Sequence, residues 1–282
     1  MDLEKIVFNK RQPTRRGTIL KNLLIILIIF VVLIVFVVVG LSKLGKAANQ
    51  EEWKEVTTLL NKEYNTTDIV QFGVGELDNA NLKTKLNSCM NADGLYDGEK
   101  LVAQVLFNNA TLNQELVLDN KDLTIITKEY LRYAIDIVDV VGLAEIFNIQ
   151  NVILTTNGTT TTIRLVAKIL LTDLKAVDGE DFGIMPIRDM PECIYITCFG
   201  TIDNTKTLKK CLTSSSIVVN NLSSEDNTKV LQFFLEKYNN EITLEELLPL
   251  PIQYFLDSLR SILAIWNSRA SFESQGLLLN TI

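Results

Sequence analysis

The chain has 282 residues, 47% of them hydrophobic, with a formal charge of −7 and no histidine. The missing imidazole excludes a Ser-His-Asp triad, a Cys-His dyad and the two-histidine zinc motif of metalloproteases. Charge is divided unevenly: residues 1–22 hold six basic side chains against Asp2 and Glu4, a balance of +4, so everything after Asn22 carries −11. So acidic a body lacks the clustered Lys and Arg on which phosphate binding runs, and no nucleic acid is expected as a partner.

The basic tail, 1–22, is followed by LLIILIIFVVLIVFVVVGL, Leu23 to Leu41, without a charged or polar side chain. At 1.5 Å per residue this block covers about 28 Å of hydrocarbon, which predicts a transmembrane helix over 23–41. A secretory signal would have a shorter apolar region and a small-residue cleavage site, and Lys43-Leu44-Gly45-Lys46-Ala47-Ala48 supplies neither. The excess of Lys and Arg before the span keeps the amino end in the cytoplasm and exports residues 42–282. The expected protein is therefore a single-pass protein of the cell membrane, with the bilayer as its first partner and an extracytoplasmic carboxyl-terminal body.

Within 42–98 the sequence predicts a juxtamembrane helix at Glu51 to Tyr64, with Trp53, Val56, Leu59 and Leu60 on one stripe, and a short helix around Leu82 to Met90. The rest of that segment is poorly defined. The extracytoplasmic domain, 99–282, opens with one or two irregular strands between Lys100 and Leu118. A helix then starts at Ile126 with Thr127 as its N-cap. A hairpin over 151–171 turns at Asn157-Gly158, with Ile163, Leu165, Ala167, Ile169 and Leu171 facing inward.

After Met190-Pro191 come a strand at 193–202 and another ending at Ile217-Val218-Val219-Asn220. Ser223 or Ser224 caps a helix to Tyr238, and Thr243 with Glu246 forms a capping box. Beyond Pro251 the residues Ile252, Phe255, Leu256, Leu259, Ile262, Leu263 and Trp266 repeat with helical period, and Ser271 to Ile282 is expected to close the sheet as a final strand. The fold class is α+β: a transmembrane helix, then a long, curved antiparallel sheet packed on one or two amphipathic helices.

All four cysteines, Cys89, Cys193, Cys198 and Cys211, fall in the exported part. If the turn after Cys198 is centred on Asn204-Thr205, Cys198 and Cys211 meet at a non-hydrogen-bonded pair within disulfide range; a turn one residue longer leaves all four as reduced, small apolar residues. Without histidine or a C-x-x-C pair no metal is expected, and no cofactor either. Asp181-Phe182-Gly183 copies a kinase triplet without the histidine-bearing loop it needs, and Asp178 to Asp181 lacks calcium-loop spacing, so it reads as a solvated turn. A carboxylate-pair glycosidase needs no local motif and stays open as a third reading.

The helical stripe has two readings. Either it is the core face the sheet wraps around, or Phe255, Leu259 and Trp266, with Leu165 and Ile169 opposite, line an elongated apolar groove for an acyl chain or a partner's helix.

The order of features resembles the YpmS-like extracytoplasmic proteins of Gram-positive bacteria. It is carried by the basic tail, the single anchor, Ile126-Thr127-Lys128-Glu129-Tyr130-Leu131, the hairpin with its half-buried second strand, Pro191-Glu192-Cys193-Ile194-Tyr195, and Ile217-Val218-Val219-Asn220 before a Ser-capped helix. The likeness covers roughly 100–282. It implies a tubular lipid-binding type of domain, a curved sheet around a long helix, without catalytic residues. The expected function is a membrane-anchored, non-enzymatic binding protein of the cell envelope handling a lipid or other apolar ligand. The alternative is an assembly component of a secretion, sporulation or division complex that binds an envelope protein partner.

Overall fold

The computed structural model describes residues 50–62, 77–88, 115–138, 147–171, 191–238, 243–266 and 268–281. The segment 23–41 lies outside the described residues, as do Cys89, most of the Lys100 to Leu118 region and the loop containing Asp178 to Asp181. Among the described residues no helix is long and apolar enough to cross a membrane.

The body is α+β, and its largest element is an antiparallel sheet of four strands in the order β2 (Phe147–Asn157), β3 (Thr160–Leu170), β4 (Cys193–Asp203), β5 (Leu212–Val219). Side chains alternate between the two faces of a strand, so the register sorts the whole sheet at once. Ile163, Leu165, Ala167 and Ile169 stand beside Gly200, Cys198, Ile196 and Ile194 on one face, and Ile217 and Val219 continue it on β5. All the side chains of this inner set are buried. On β2 the same face is held by Phe147, Ile149, Val152 and Leu154, whose alternation is broken by one residue. A bulge between Ile149 and Asn151 absorbs the extra position and keeps both halves facing inward.

The β2–β3 turn is one residue later than the sequence suggests. Asn157 pairs with Thr160, leaving Gly158-Thr159 as the two-residue loop. Gly158 has φ +60° and Thr159 has no positive φ, the pattern of a II′ turn with glycine at its first central position.

Six helices are described: α1 (Gln50–Leu60), α2 (Asn79–Asn87), α3 (Asn120–Val138), α4 (Ser224–Tyr238), the single turn α5 (Leu244–Leu247) and α6 (Leu250–Trp266). Helix α1 buries Trp53, Val56, Leu59 and Leu60, the stripe read from the sequence, with Trp53 packed on Phe233 of α4 at 6.1 Å between ring centroids. Ser223 Oγ accepts from Asp226 N at the start of α4, and the Thr243–Glu246 capping box opens α5.

Helix α6 packs on β4 so closely that a Cβ added at Gly200 would run into Ile252, itself fully buried. Ile252, Leu256, Leu259 and Leu263 join the sheet's inner face in one hydrophobic cluster that also takes in α1, α2 and α4.

Two sequence expectations are corrected. Helix α3 begins at Asn120, seven residues before Thr127. Asp119 Oδ1 accepts the Lys121 and Asp122 N–H groups, each at 2.9 Å, while Asp119 N donates to Asp122 Oδ2 at 3.1 Å, a reciprocal cap built from two aspartates. Thr127 is interior, its hydroxyl donating to Leu123 O.

The carboxyl end, in turn, does not extend the large sheet. It forms a hairpin, β6 (Ser268–Glu273) and β7 (Gly276–Thr281), and β7 pairs with β1 (Leu116–Leu118) in a separate three-stranded sheet. Gly276 lies against the Leu118 carbonyl with φ +137°, a site closed to any side chain.

Candidate functional site

Four of the five groove candidates fall on two surfaces that meet. Leu165 and Ile169 point from β3 into the inner face, Leu259 is buried on α6, and Phe255 is half-buried against the same cluster. Trp266 is the last residue of α6, and its side chain lies outside the described residues. The sheet and α6 meet in one hydrophobic cluster, which packs Leu165, Ile169 and Leu259 into the core itself. Two cavities lined by described residues, about 320 and 310 Å³, lie elsewhere and include none of the five.

Both cavities flank the capped start of α3 and share Asp78 and Ile125. Lys85 of α2 reaches the buried Asp122 carboxylate and stands 3.7 Å from Asp119, so one ammonium bridges both members of the α3 cap. Asp78 caps α2 in the same way, accepting from Ala80 N at 2.9 Å. This cluster fixes α2 against α3, and its charges are occupied with one another.

Cys198 and Cys211 do not meet. Cys198 stands opposite Ile217, and Cys211 lies just before β5 with Sγ directed at Leu208 O, 3.4 Å away; Cys193, Cys198 and Cys211 are all free. The connection between β4 and β5 is eight residues long rather than two. Its start is held by Asp203, whose Oδ1 accepts from the Thr205 hydroxyl at 2.5 Å and from Thr205 N at 2.9 Å. These bonds and Lys206 hold the Asp203 carboxyl below its usual range. Burial pushes the Cys198 thiol up to about 12, which makes it an inert core residue.

The outer face of the sheet carries chemistry that hydrophobic patterning did not reveal. Arg164 lies over the Phe199 ring and Lys168 over the Tyr195 ring, each 5.7 Å from the centroid, and each pair is directly cross-strand. In the neighbouring row, Thr155, Thr162, Thr201 and Ser214 stand side by side across all four strands. The signal for both was already in the sequence: cations on β3 and aromatics on β4 at the same four-residue spacing. Only the register shows that they pair.

No family model, curated protein or solved structure matches this chain.

Proposed function

We propose that this is a membrane-anchored, non-enzymatic binding protein whose carboxyl-terminal body works on the extracytoplasmic side of the cell membrane. One observation carries the reading: an uncharged block of nineteen residues, Leu23 to Leu41, between a tail of +4 and a remainder of −11. The chain between Leu41 and the start of α1 at Gln50 is eight residues, a reach of at most about 28 Å, so α1 and the body it packs on stay close to the bilayer.

Protease added to intact cells should digest the body and leave a fragment containing the tail and the span. A body protected from protease until the cells are lysed would overturn the topology.

A lipid or other apolar ligand is the occupant implied by the YpmS-like resemblance. The long helix α6 against the sheet supports that reading in outline. An acyl chain would have to lie between α6 and the inner face, and Ile252 against Gly200 marks where they would part. Native mass spectrometry of the full chain released from detergent should then show co-purifying lipid beyond the detergent background, and its absence would count against this occupant.

The burial of Leu165, Ile169 and Leu259 in one core favours the second reading, an assembly component that engages envelope partners through its surface. Crosslinking in the membrane should in that case return one stoichiometric protein partner.

A further inference from the structure

We infer that the tip of the four-stranded sheet, where Lys206, Lys209 and Lys210 stand, docks on the anionic headgroups of the bilayer that anchors the chain. The path of the chain aims this tip at the membrane. Asn220 and Asn221 both take positive φ, +47° and +52°, and turn the chain back after β5. By Asn227, the fourth residue of α4, it is again level with Ile217 and Val219, to which that side chain bonds. Helix α4 therefore runs back along β5 toward the β4–β5 connection.

Helix α1 lies antiparallel to α4: Lys62 meets Asp226, Glu55 stands 4.0 Å from Lys229, and Trp53 packs on Phe233. Its last turn is fixed at the far end of the strands, where Leu60 O accepts from Asn220 Nδ2 at 2.9 Å. The start of α1, the end joined to the span by eight residues, points toward the same end of the sheet as the β4–β5 connection.

The tip is built as one ordered surface. Asn204 N donates to Thr159 O at 2.8 Å, joining the β4–β5 connection to the β2–β3 turn. Within the connection Asp203 N donates to Cys211 O, Lys206 N to Asp203 O and Lys210 N to Thr207 O, and Leu208 packs on the core. Across 155–161 and 203–214 the charges are Lys206, Lys209 and Lys210 against Asp203, a balance of +2 in a chain that carries −11 after Asn22. Lys206 is paired with Asp203, whereas Lys209 and Lys210 are exposed and, among the described residues, in no ion pair.

Two such lysines are too few to capture a soluble anion from dilute solution. A tether of at most about 28 Å changes this, because it holds them beside the bilayer at high effective concentration. Each lysine at an anionic surface then favours the docked state roughly fivefold, about thirtyfold together. The attraction fades within a screening length of about 8 Å, so it acts on the tip that meets the surface and hardly on the acidic remainder.

The inference rests on the anchored topology proposed above, and the test separates the two. Full-length chain is placed in nanodiscs of phosphatidylcholine, or of an equal mixture with phosphatidylglycerol, and its lysines are briefly acetylated and mapped by mass spectrometry. Labelling of Lys206, Lys209 and Lys210 should fall about threefold or more in the anionic discs at about 0.1 M salt. It should recover at about 1 M, where the screening length is about 3 Å. Lys62, at the opposite end of the strands, should label equally in both discs.

In Lys209→Gln/Lys210→Gln, Lys206 should label equally in both discs, whereas Lys209→Arg/Lys210→Arg should keep its protection; neither should move the urea midpoint. Unchanged labelling at the tip of a chain that co-elutes with the discs overturns the docking and leaves the anchor standing. Protection shared equally by Lys62, protection kept by the Gln variant, or equal protection in neutral discs by added polyglutamate also overturns it. A chain that elutes apart from the discs overturns the anchor and this inference with it.

Discussion

Asn227 closes the open edge of β5: its Oδ1 accepts the Val219 N–H at 2.8 Å, and its Nδ2 donates to the Ile217 carbonyl at 2.7 Å. One side chain on α4 thus replaces a neighbouring strand at the two positions where β5 would otherwise leave a buried donor and acceptor open. The opposite edge is closed in the same manner from α3. There Leu154 N donates to Asn120 Oδ1 and Val152 N to Thr124 Oγ1. Both free edges of the large sheet are therefore met by helices through side-chain hydrogen bonds.

Asn227→Ala should consequently cost about 2–4 kcal/mol, since two buried backbone groups lose their partners together. Asn227→Asp keeps the acceptor for Val219 N but sets a carboxylate against the Ile217 carbonyl, and should be no better tolerated. Urea unfolding of the full chain in mild detergent measures both. A cost below about 0.5 kcal/mol for Asn227→Ala would show that water replaces the side chain.

The close approach of α6 to β4 gives a test by coupling. Gly200→Ala forces a methyl into Ile252 and should destabilise by about 1–3 kcal/mol. Ile252→Ala alone removes both Cγ atoms that the new methyl would meet, together with Cδ1, for about 2–5 kcal/mol. Combined, the smaller side chain should accept part of the new methyl, so the pair costs less than the two single values added. Strict additivity would mean that the two residues do not touch.

The ion pair between Lys62, just past α1, and Asp226 on α4 makes the docking of α1 sensitive to acid. The hydrogen bond from Lys62, 2.7 Å long, holds the Asp226 carboxyl below its ordinary 3.8. A folded value beneath the unfolded one means that the contribution is complete above about pH 4 and is lost as pH falls through the lower folded value. Asp226→Asn should therefore lower the urea midpoint at pH 6 and match the parent chain near pH 2. A difference that persists unchanged at pH 2 would place the effect in packing rather than charge.

What the sequence made legible was whatever repeats locally. The stripe on α1, the inward set on β3 and the Thr243–Glu246 box each rest on spacing within one element, and each stands where its period puts it. The features that escaped depend on partners distant in sequence. Leu116 pairs with Leu279, so the last strands serve β1 rather than the large sheet, and no local pattern carries that information. The break in Phe147-Asn148-Ile149-Gln150-Asn151-Val152 reads as lost alternation until the bulge restores it. Stacking of Arg164 on Phe199 needs the β3–β4 register, and the start of α3 was obscured because Asp119 and Asp122 take the roles more often held by Ser or Thr and Glu.

Register also decides the cysteines. With Cys198 opposite Ile217, its thiol is sealed in the core and raised to about 12 by burial, while Cys193 is half-buried at the start of β4. Thiolate is the reacting species, so the native chain at pH 8 should leave Cys198 unmodified by iodoacetamide over hours, and unfolding in urea should expose it at once. Peptide mapping after labelling with and without reductant should give the same alkylation at Cys198 and Cys211 in both samples. A linked peptide joining the two would require the β4–β5 strands to slide until those residues face each other. That slide would carry Ile217 and Val219 out of their places beside Cys198 and Ile196, and the inner face would lose the wall that α4 packs against.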